Sequence, residues 1–336
     1  MKFSRKFLWP FVPFYYLGSL TIKKLYDWGI YKSRSYDFPV ICVGNLSVGG
    51  TGKSPFVSYL IELLQKDKQL ATLSRGYKRS TTGFHIATAN STALEIGDEP
   101  LQFKVTHPKT IVAVDADRKN GIHQLRTQKT PPEIIILDDA FQHRKVQAGF
   151  QILLTAYYNR YTNDCMLPAG DLREPTSAAA RATIIIVTKC PLDLSDTAQQ
   201  KIIEQLQPLA HQKVYFTGIA YAEDIYAANT KIKLTAFLQD SFCLVTGIAE
   251  PAPLVSHLKN LGAKFTHLNF PDHHVFSQKE LDKISTHKRI LTTQKDFMRL
   301  QHVTALKNKL FYLPISIHFL NAEKDFIRQV YDFTSD

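Results

Sequence analysis

Residues 39–54 read PVICVGNLSVGGTGKS, and this stretch limits the fold more tightly than any other. A β-branched apolar run enters a glycine-rich turn, the turn closes on Gly52-Lys53-Ser54, and the apolar run of a helix follows. A nucleoside triphosphate site requires that order. The buried strand aims a loop of Ser47, Val48, Gly49, Gly50, Thr51 and Gly52, whose backbone N–H groups cradle phosphates at a helix N-terminus. Lys53 then reaches the β- and γ-phosphates, and the Ser54 hydroxyl holds Mg²⁺. The pattern G-x-x-x-x-G-K-[ST] has Ser47 for its first glycine, so Gly49 and Gly50 are expected to supply the positive-φ conformations.

A chain of 336 residues is long enough for two domains, and 44% hydrophobic with 21% charged residues marks it as globular. The net charge of +11 fits an anionic partner (nucleic acid, an acidic membrane surface or a phosphorylated substrate) or a solvated basic surface, and charge alone does not choose. Cys42, Cys165, Cys190 and Cys243 are scattered without a C-x-x-C pair, which suits a reducing cytoplasm and gives no zinc pattern.

Phe7 to Thr21 carries no charged side chain, with Lys2, Arg5 and Lys6 before it and Lys23 and Lys24 after it. The stretch is shorter than the roughly twenty residues a spanning helix needs, and Pro10 and Pro13 interrupt it. An interfacial anchor is expected, with aromatics at the acyl boundary and lysines toward anionic headgroups; a buried core helix and a secretory signal are the competitors.

After Pro39 the chain alternates strand-like and helix-like segments, the mark of a P-loop NTPase-type, doubly wound α/β fold with a mostly parallel sheet. Strands are expected at Val40–Gly44, Gln69–Ser74, Thr110–Val114, Ile134–Leu137, Gln151–Thr155 and Thr183–Thr188. A second set is expected near Lys213–Thr217, Phe242–Thr246, Lys264–Asn269, Ile290–Thr293 and Leu310–Ile317. The expected organisation is a membrane-associating segment (1–30), a nucleotide-binding domain (31–210) and a smaller α/β domain closing over the cleft (211–336). Ligands of such folds lie at the carboxyl ends of the parallel strands.

Glu133-Ile-Ile-Ile-Leu-Asp-Asp139 is a buried strand ending in two carboxylates, so Asp138 and Asp139 are candidates for Mg²⁺, with a turn or a helix cap as the alternative. Thr188-Lys189-Cys190-Pro191 has the form of the guanine-reading [NT]-K-x-D motif with Pro191 in place of its aspartate. Guanine specificity is thereby disfavoured, and ATP is the expected donor.

Further segments fall into one order: Ser74-Arg-Gly-Tyr77, Gly97-Asp-Glu-Pro100, Asp138-Asp-Ala-Phe-Gln-His143, Leu167-Pro-Ala-Gly-Asp-Leu-Arg-Glu-Pro175, Phe270-Pro-Asp-His-His274 and Thr292-Thr-Gln-Lys-Asp296. With Val43–Pro55 they resemble the tetraacyldisaccharide 4′-kinase family over nearly the whole chain. The resemblance implies transfer of the ATP γ-phosphate to the 4′-hydroxyl of a tetraacylated glucosamine disaccharide 1-phosphate in lipid A biosynthesis. The implied place is the cytoplasmic face of an inner membrane, with ATP and Mg²⁺ as cofactors, a lipid-linked disaccharide as partner, no nucleic acid, and a monomeric chain. A nucleotide-dependent switch or nucleic-acid-associated NTPase is the alternative. The chain departs from the family pattern at Ala140 (for glycine), Asp171 (for proline) and Gln294 (for glutamate).

By the same resemblance Asp98 is the base that takes the acceptor proton, aided by His273, with Lys53 as the third catalytic group. A carboxylate in contact with an imidazole suits proton removal near neutral pH. Read without the family, Asp98 is first a helix cap before Pro100. Arg75 and Arg173 are candidates for anion contacts, Tyr77 for substrate contact, Gln142 and His143 for positions around the substrate, and Glu174 for the metal.

Overall fold

The structure is a computed structural model that describes residues 2–227, 230–272 and 274–335. In chain order the strands are β1 (Val40–Asn45), β2 (Leu70–Ser74), β3 (His85–Ile86), β4 (Ile111–Val114), β5 (Ile134–Asp138), β6 (Phe150–Ala156), β7 (Ile184–Thr188) and β8 (Lys213–Tyr221). They continue as β9 (Asp224–Tyr226), β10 (Lys231–Lys233), β11 (Phe242–Thr246), β12 (Phe265–Asn269), β13 (Ile290–Thr293), β14 (Leu310–Leu313) and β15 (Ile315–Phe319). Among the described residues they form a nine-stranded sheet, β15-β8-β7-β6-β1-β5-β2-β4-β3, and a six-stranded sheet, β10-β9-β14-β13-β11-β12. The larger sheet is parallel from β8 to β4, with antiparallel β15 and β3 at its edges.

The central strands β1, β2, β5 and β7 are buried at every position, as the continuous apolar runs required. Alternate residues feed two cores: Ile41, Val43, Ile134 and Ile136 face one side, and Val40, Cys42, Ile135 and Leu137 face the other. The first core runs on without a break through Phe56, Phe319 and Phe326 to Cys243, Ile290 and Leu310 of the smaller sheet. Packing at this density ties the two sheets together through apolar contact.

Sheet membership and sequence order part company at one residue. The apolar run expected as a single strand over Leu310–Ile317 is two strands, β14 in the smaller sheet and β15 in the larger. Pro314 lies between them; it has no N–H to donate, so neither ladder continues through it. Residues 213–221 and 315–319 therefore lie in the same sheet as the strands that precede residue 210.

At the N-terminus a 3₁₀ stretch (Lys2–Phe11) leads into the helix Val12–Asp27, which buries none of its residues. No helix among the described residues is long and apolar enough to cross a membrane. Phe7, Trp9, Phe11, Phe14 and Leu17 are all more than half exposed.

Candidate active site

Strand β1 delivers the chain into residues 46–52, and the helix Lys53–Leu64 begins immediately after. The left-handed turns fall at Gly49 (φ 116°) and Gly52 (φ 84°), so Gly52 takes the role expected of Gly50. Ser47 needs no glycine geometry: it is buried and bridges Leu172 in an antiparallel step. Around that bridge the Val48 N–H donates to the Asp171 carbonyl (2.7 Å) and the Arg173 N–H to the Leu46 carbonyl (2.7 Å), so the loop around residues 171–173 backs the glycine-rich loop. The Val48 and Thr51 N–H groups are engaged within the protein, Thr51 with the Gly49 carbonyl. The first N–H groups of the helix at Lys53 and Ser54 point out of its N-terminus, where an anion is favoured.

Lys53 lies against Asn45 Oδ1 (3.3 Å) and Asp139 Oδ1 (3.7 Å). Asp139, itself in the left-handed region (φ 49°), is also gripped by Arg173 Nη2 at 2.8 Å. Burial pushes the Asp139 carboxyl up, but Lys53 and Arg173 outweigh it and hold it below the usual carboxylate range. Its neighbour behaves oppositely. Burial, with Glu99 and Asp139 nearby, drives Asp138 up to about 7 against the pull of Lys53 and Arg118. Asp138 accepts the Ser74 hydroxyl (3.2 Å), while its Oδ1 is buried without a hydrogen-bond partner. A hard cation would supply what that oxygen lacks, and the Ser54 hydroxyl with these carboxylates is an oxygen donor set of the kind Mg²⁺ takes.

The helix Asp98–Thr106 carries two acids toward this loop. Glu99 Oε1 accepts the Ser54 hydroxyl at 3.1 Å, and Lys295 Nζ stands 3.8 Å from the same oxygen. The helix starts at Asp98 itself with Gly97 in the N-cap position, which overturns the cap alternative; Arg299 Nη2 meets the Asp98 Oδ2 at 2.6 Å. On the opposite side, Lys189 at the tip of β7 holds a left-handed backbone (φ 57°), and its ammonium stands 3.6 Å from where a Cβ on Gly50 would lie. Burial lowers the Lys189 pKa.

A profile of the tetraacyldisaccharide-1-P 4′-kinase family matches residues 4–334. The chain belongs to that family. It is 48% identical to the tetraacyldisaccharide 4′-kinase of Flavobacterium johnsoniae, with 97% of this chain and 96% of the relative aligned. Identity to the Bacteroides thetaiotaomicron protein of the same name is 42%, over 96% of this chain and 91% of that one. Among solved structures, LpxK of Aquifex aeolicus, in complex with ATP, superimposes with a TM-score of 0.78 at 30% identity, covering 98% and 99% of the two chains.

The family motifs converge unevenly. Lys53, Ser54, Asp138, Asp139 and Arg173 meet directly or through Asn45 and Glu99. Glu174 Oε2 is taken by Arg181 (2.7 Å) and Gln142 Nε2 (3.2 Å), and Gln142 also donates to the Asn45 carbonyl. His143 is held well below its ordinary pKa, at about 4, by burial first and by Arg118 second, so it is neutral at physiological pH. Arg75 and Tyr77 are exposed beyond the end of β2. His273 lies outside the described residues; its neighbour His274 bonds Glu280 at 3.0 Å and stacks on Phe270.

Asp171, the departure from the family's proline, meets Arg5 of the N-terminal segment at 2.6 Å. Tyr15 Oη donates to the Arg173 carbonyl (3.2 Å) in the same loop. Gln294, another departure, accepts from Gln102 (3.2 Å) and donates to Thr106 (2.8 Å), bonds an amide makes in both directions and a carboxylate only in one. Sequence reading missed Asn45, Glu99, Arg118, Arg181 and Arg299. Asn45 directly follows the Val43-Gly44 strand end and Glu99 directly follows Asp98, so position within known motifs was the available signal for those two.

Proposed function

We propose that this chain transfers the γ-phosphate of ATP to the 4′-hydroxyl of a tetraacylated glucosamine disaccharide 1-phosphate, the kinase step of lipid A biosynthesis, with the residues above in the following roles. The observation that carries the assignment of roles is the Glu99–Ser54 contact of 3.1 Å, because it brings the Gly97-Asp-Glu-Pro helix, and with it Asp98, to the phosphate loop.

Lys53 is the cation for the β- and γ-phosphates, and Asn45 and Asp139 keep it aimed before nucleotide arrives. Ser54, Asp138 and Asp139 would hold Mg²⁺, which when bound neutralises charge on the phosphates. Arg173 fixes Asp139, and the Arg181–Glu174–Gln142 chain fixes the loop behind it. Asp98 accepts the proton of the 4′-hydroxyl as the new P–O bond forms, with His273 as its aid. Arg75, Tyr77 and neutral His143 serve the substrate side.

The apolar N-terminal segment, tied by Arg5 and Tyr15 to the loop that bears Arg173, rests on the membrane surface and presents the lipid-linked acceptor, at the inner membrane's cytoplasmic face, to a monomeric enzyme. The test is phosphate incorporation, followed by mass, from Mg·ATP into the detergent-solubilised disaccharide 1-phosphate. Wild-type protein should form the 4′-phosphate, and Lys53→Ala and Asp98→Asn should lose turnover while Asp98→Asn keeps ATP binding. An Asp98→Asn enzyme with undiminished turnover would refute the base assignment. Removing residues 1–22 should release the protein from vesicles of anionic lipid, and full retention would refute the surface anchor.

A further inference from the structure

The helix Gln294–Leu300 of the smaller sheet lies alongside the helix Asp98–Thr106, and its cations address both acids at the start of that helix. Lys295 and Arg299 are one turn apart on a common face. Lys295 Nζ stands 3.8 Å from Glu99, and Arg299 places Nε (2.8 Å) and Nη2 (2.6 Å) on Asp98 Oδ2. These two contacts fall on the same carboxylate oxygen, Oδ2.

Arg299 is itself anchored. Its Nη1 donates to Asp296 Oδ1 (2.9 Å) and to the Gly247 carbonyl (3.3 Å). Asp296 is fully buried, and its second oxygen accepts the Gly247 N–H (2.9 Å) and the Thr293 hydroxyl (2.8 Å). A buried guanidinium shared between two carboxylates in a fixed fork has little freedom, unlike a surface lysine pair. The side chain of Arg299 is only 9% exposed.

We propose that Arg299 is the positioning residue for Asp98: anchored on Asp296, it holds the carboxylate in the orientation from which it meets the acceptor hydroxyl. This rests on the reading of Asp98 as the base. The consequence is that the base is carried by the helix next to the phosphate loop but aimed by the smaller sheet. Productive geometry at the acceptor thus depends on how the two sheets are packed, while the nucleotide side at Lys53 does not.

The experiment is steady-state kinetics of the full chain in detergent, with Mg·ATP and the disaccharide 1-phosphate. Arg299→Ala should lower kcat by about 10–100-fold, the scale of a misplaced catalytic group, with KM for ATP changed by less than about twofold. Arg299→Lys, which keeps charge without the fork, should lie between, and Asp296→Asn, which loosens the anchor, should lower kcat in the same direction. Both also stand in should Arg299→Ala fail to fold. In the double variant Asp98→Asn/Arg299→Ala, turnover should be no lower than in Asp98→Asn alone, because Arg299 acts only through Asp98.

Turnover of Arg299→Ala within about twofold of wild type beside an inactive Asp98→Asn would overturn the tether and leave the base assignment standing. A double variant that loses the product of both single effects would show a merely structural role and would also overturn it. An active Asp98→Asn would overturn the base assignment and the tether with it.

Discussion

Gly52→Ala is the sharpest test of the phosphate loop, because the structure isolates one physical cause. Gly52 has φ 84°, and a Cβ there would meet Thr188 side-chain atoms no closer than 3.7 Å, an ordinary contact. Sterics within the pocket therefore cost nothing, and the penalty is the left-handed backbone alone, about 1–2 kcal/mol for a residue with a side chain. The native state can respond in two ways. It can keep the conformation and lose that amount of stability, or relax the loop and return the same amount when nucleotide demands the cradle. In both cases the ATP-bound state is weakened by about 1–2 kcal/mol relative to unfolded chain and free nucleotide. If the loop relaxes, ATP affinity falls by about 5–30-fold. Gly50→Ala is the internal control. Gly50 has no positive φ, and its Cβ would stand 3.6 Å from both Lys189 Nζ and Ala249 Cβ. Its effect on unfolding should stay within about 0.5 kcal/mol. Calorimetric titration with Mg²⁺ and a non-hydrolysable ATP analogue, paired with thermal unfolding with and without nucleotide, measures both terms. Equal damage from the two alanines, or a Gly52→Ala protein unchanged in both measurements, would refute the backbone argument.

The other expectations concern charge. Because the folded pKa of Asp138 is raised to about 7 from an ordinary 3.8, folded protein holds a proton there that unfolded chain has lost, so this group's contribution to stability declines as pH rises from about 4 through 7. Binding Mg·ATP requires the carboxylate and should release that proton. Calorimetry in buffers of different ionisation enthalpy should register the release below pH 7 and its decline above; a pH-independent proton count, or one unchanged by Asp138→Asn, would contradict it. Lys189→Ala should raise KM for ATP several-fold, since its half-buried ammonium stands beside Gly50 of the phosphate loop; an unchanged KM would place that ammonium outside the nucleotide's reach.

The features that could be read from sequence are those decided within a few residues. Every position of β1, β2, β5 and β7 is buried, and such strands announce themselves as unbroken β-branched runs. The phosphate loop is equally local, although which glycines turn left-handed is fixed by the ladder between Leu46–Val48 and residues 171–173, which the loop sequence does not contain. Pro314 was visible as a breaker, yet nothing near it tells that β14 and β15 join different sheets; that follows from pairing with β13 and β8 far away in the chain. The polar network is still less legible. Arg173, a candidate for an anion contact, bonds Asp139 and Asn45, partners its own motif does not contain. Glu174, a candidate for the metal, accepts at Oε2 from Arg181 and from Gln142, contacts that local sequence does not announce.

Asp98 shows why motif order outran local chemistry. By its own neighbours it reads as a cap before Pro100, because Asp ahead of Glu-Pro is a good helix start. The structure spends the side chain otherwise: the helix begins with no side-chain cap, and the carboxylate turns to Arg299, which lies 201 residues away in the chain. With glycine in the N-cap position the helix gives up only roughly a few tenths of a kcal/mol, and a charge-assisted bond to a nearly buried guanidinium contributes about 1.5–3 kcal/mol. The arrangement thus stabilises the fold while fixing a geometry, a carboxylate held beside the phosphate loop by a partner on the helix Gln294–Leu300. Arg299→Lys keeps a cation beside the buried Asp296 but loses the fork on Asp98, so its effect should be larger in turnover than in unfolding. A large loss of stability in Arg299→Lys with turnover intact would reverse that ordering.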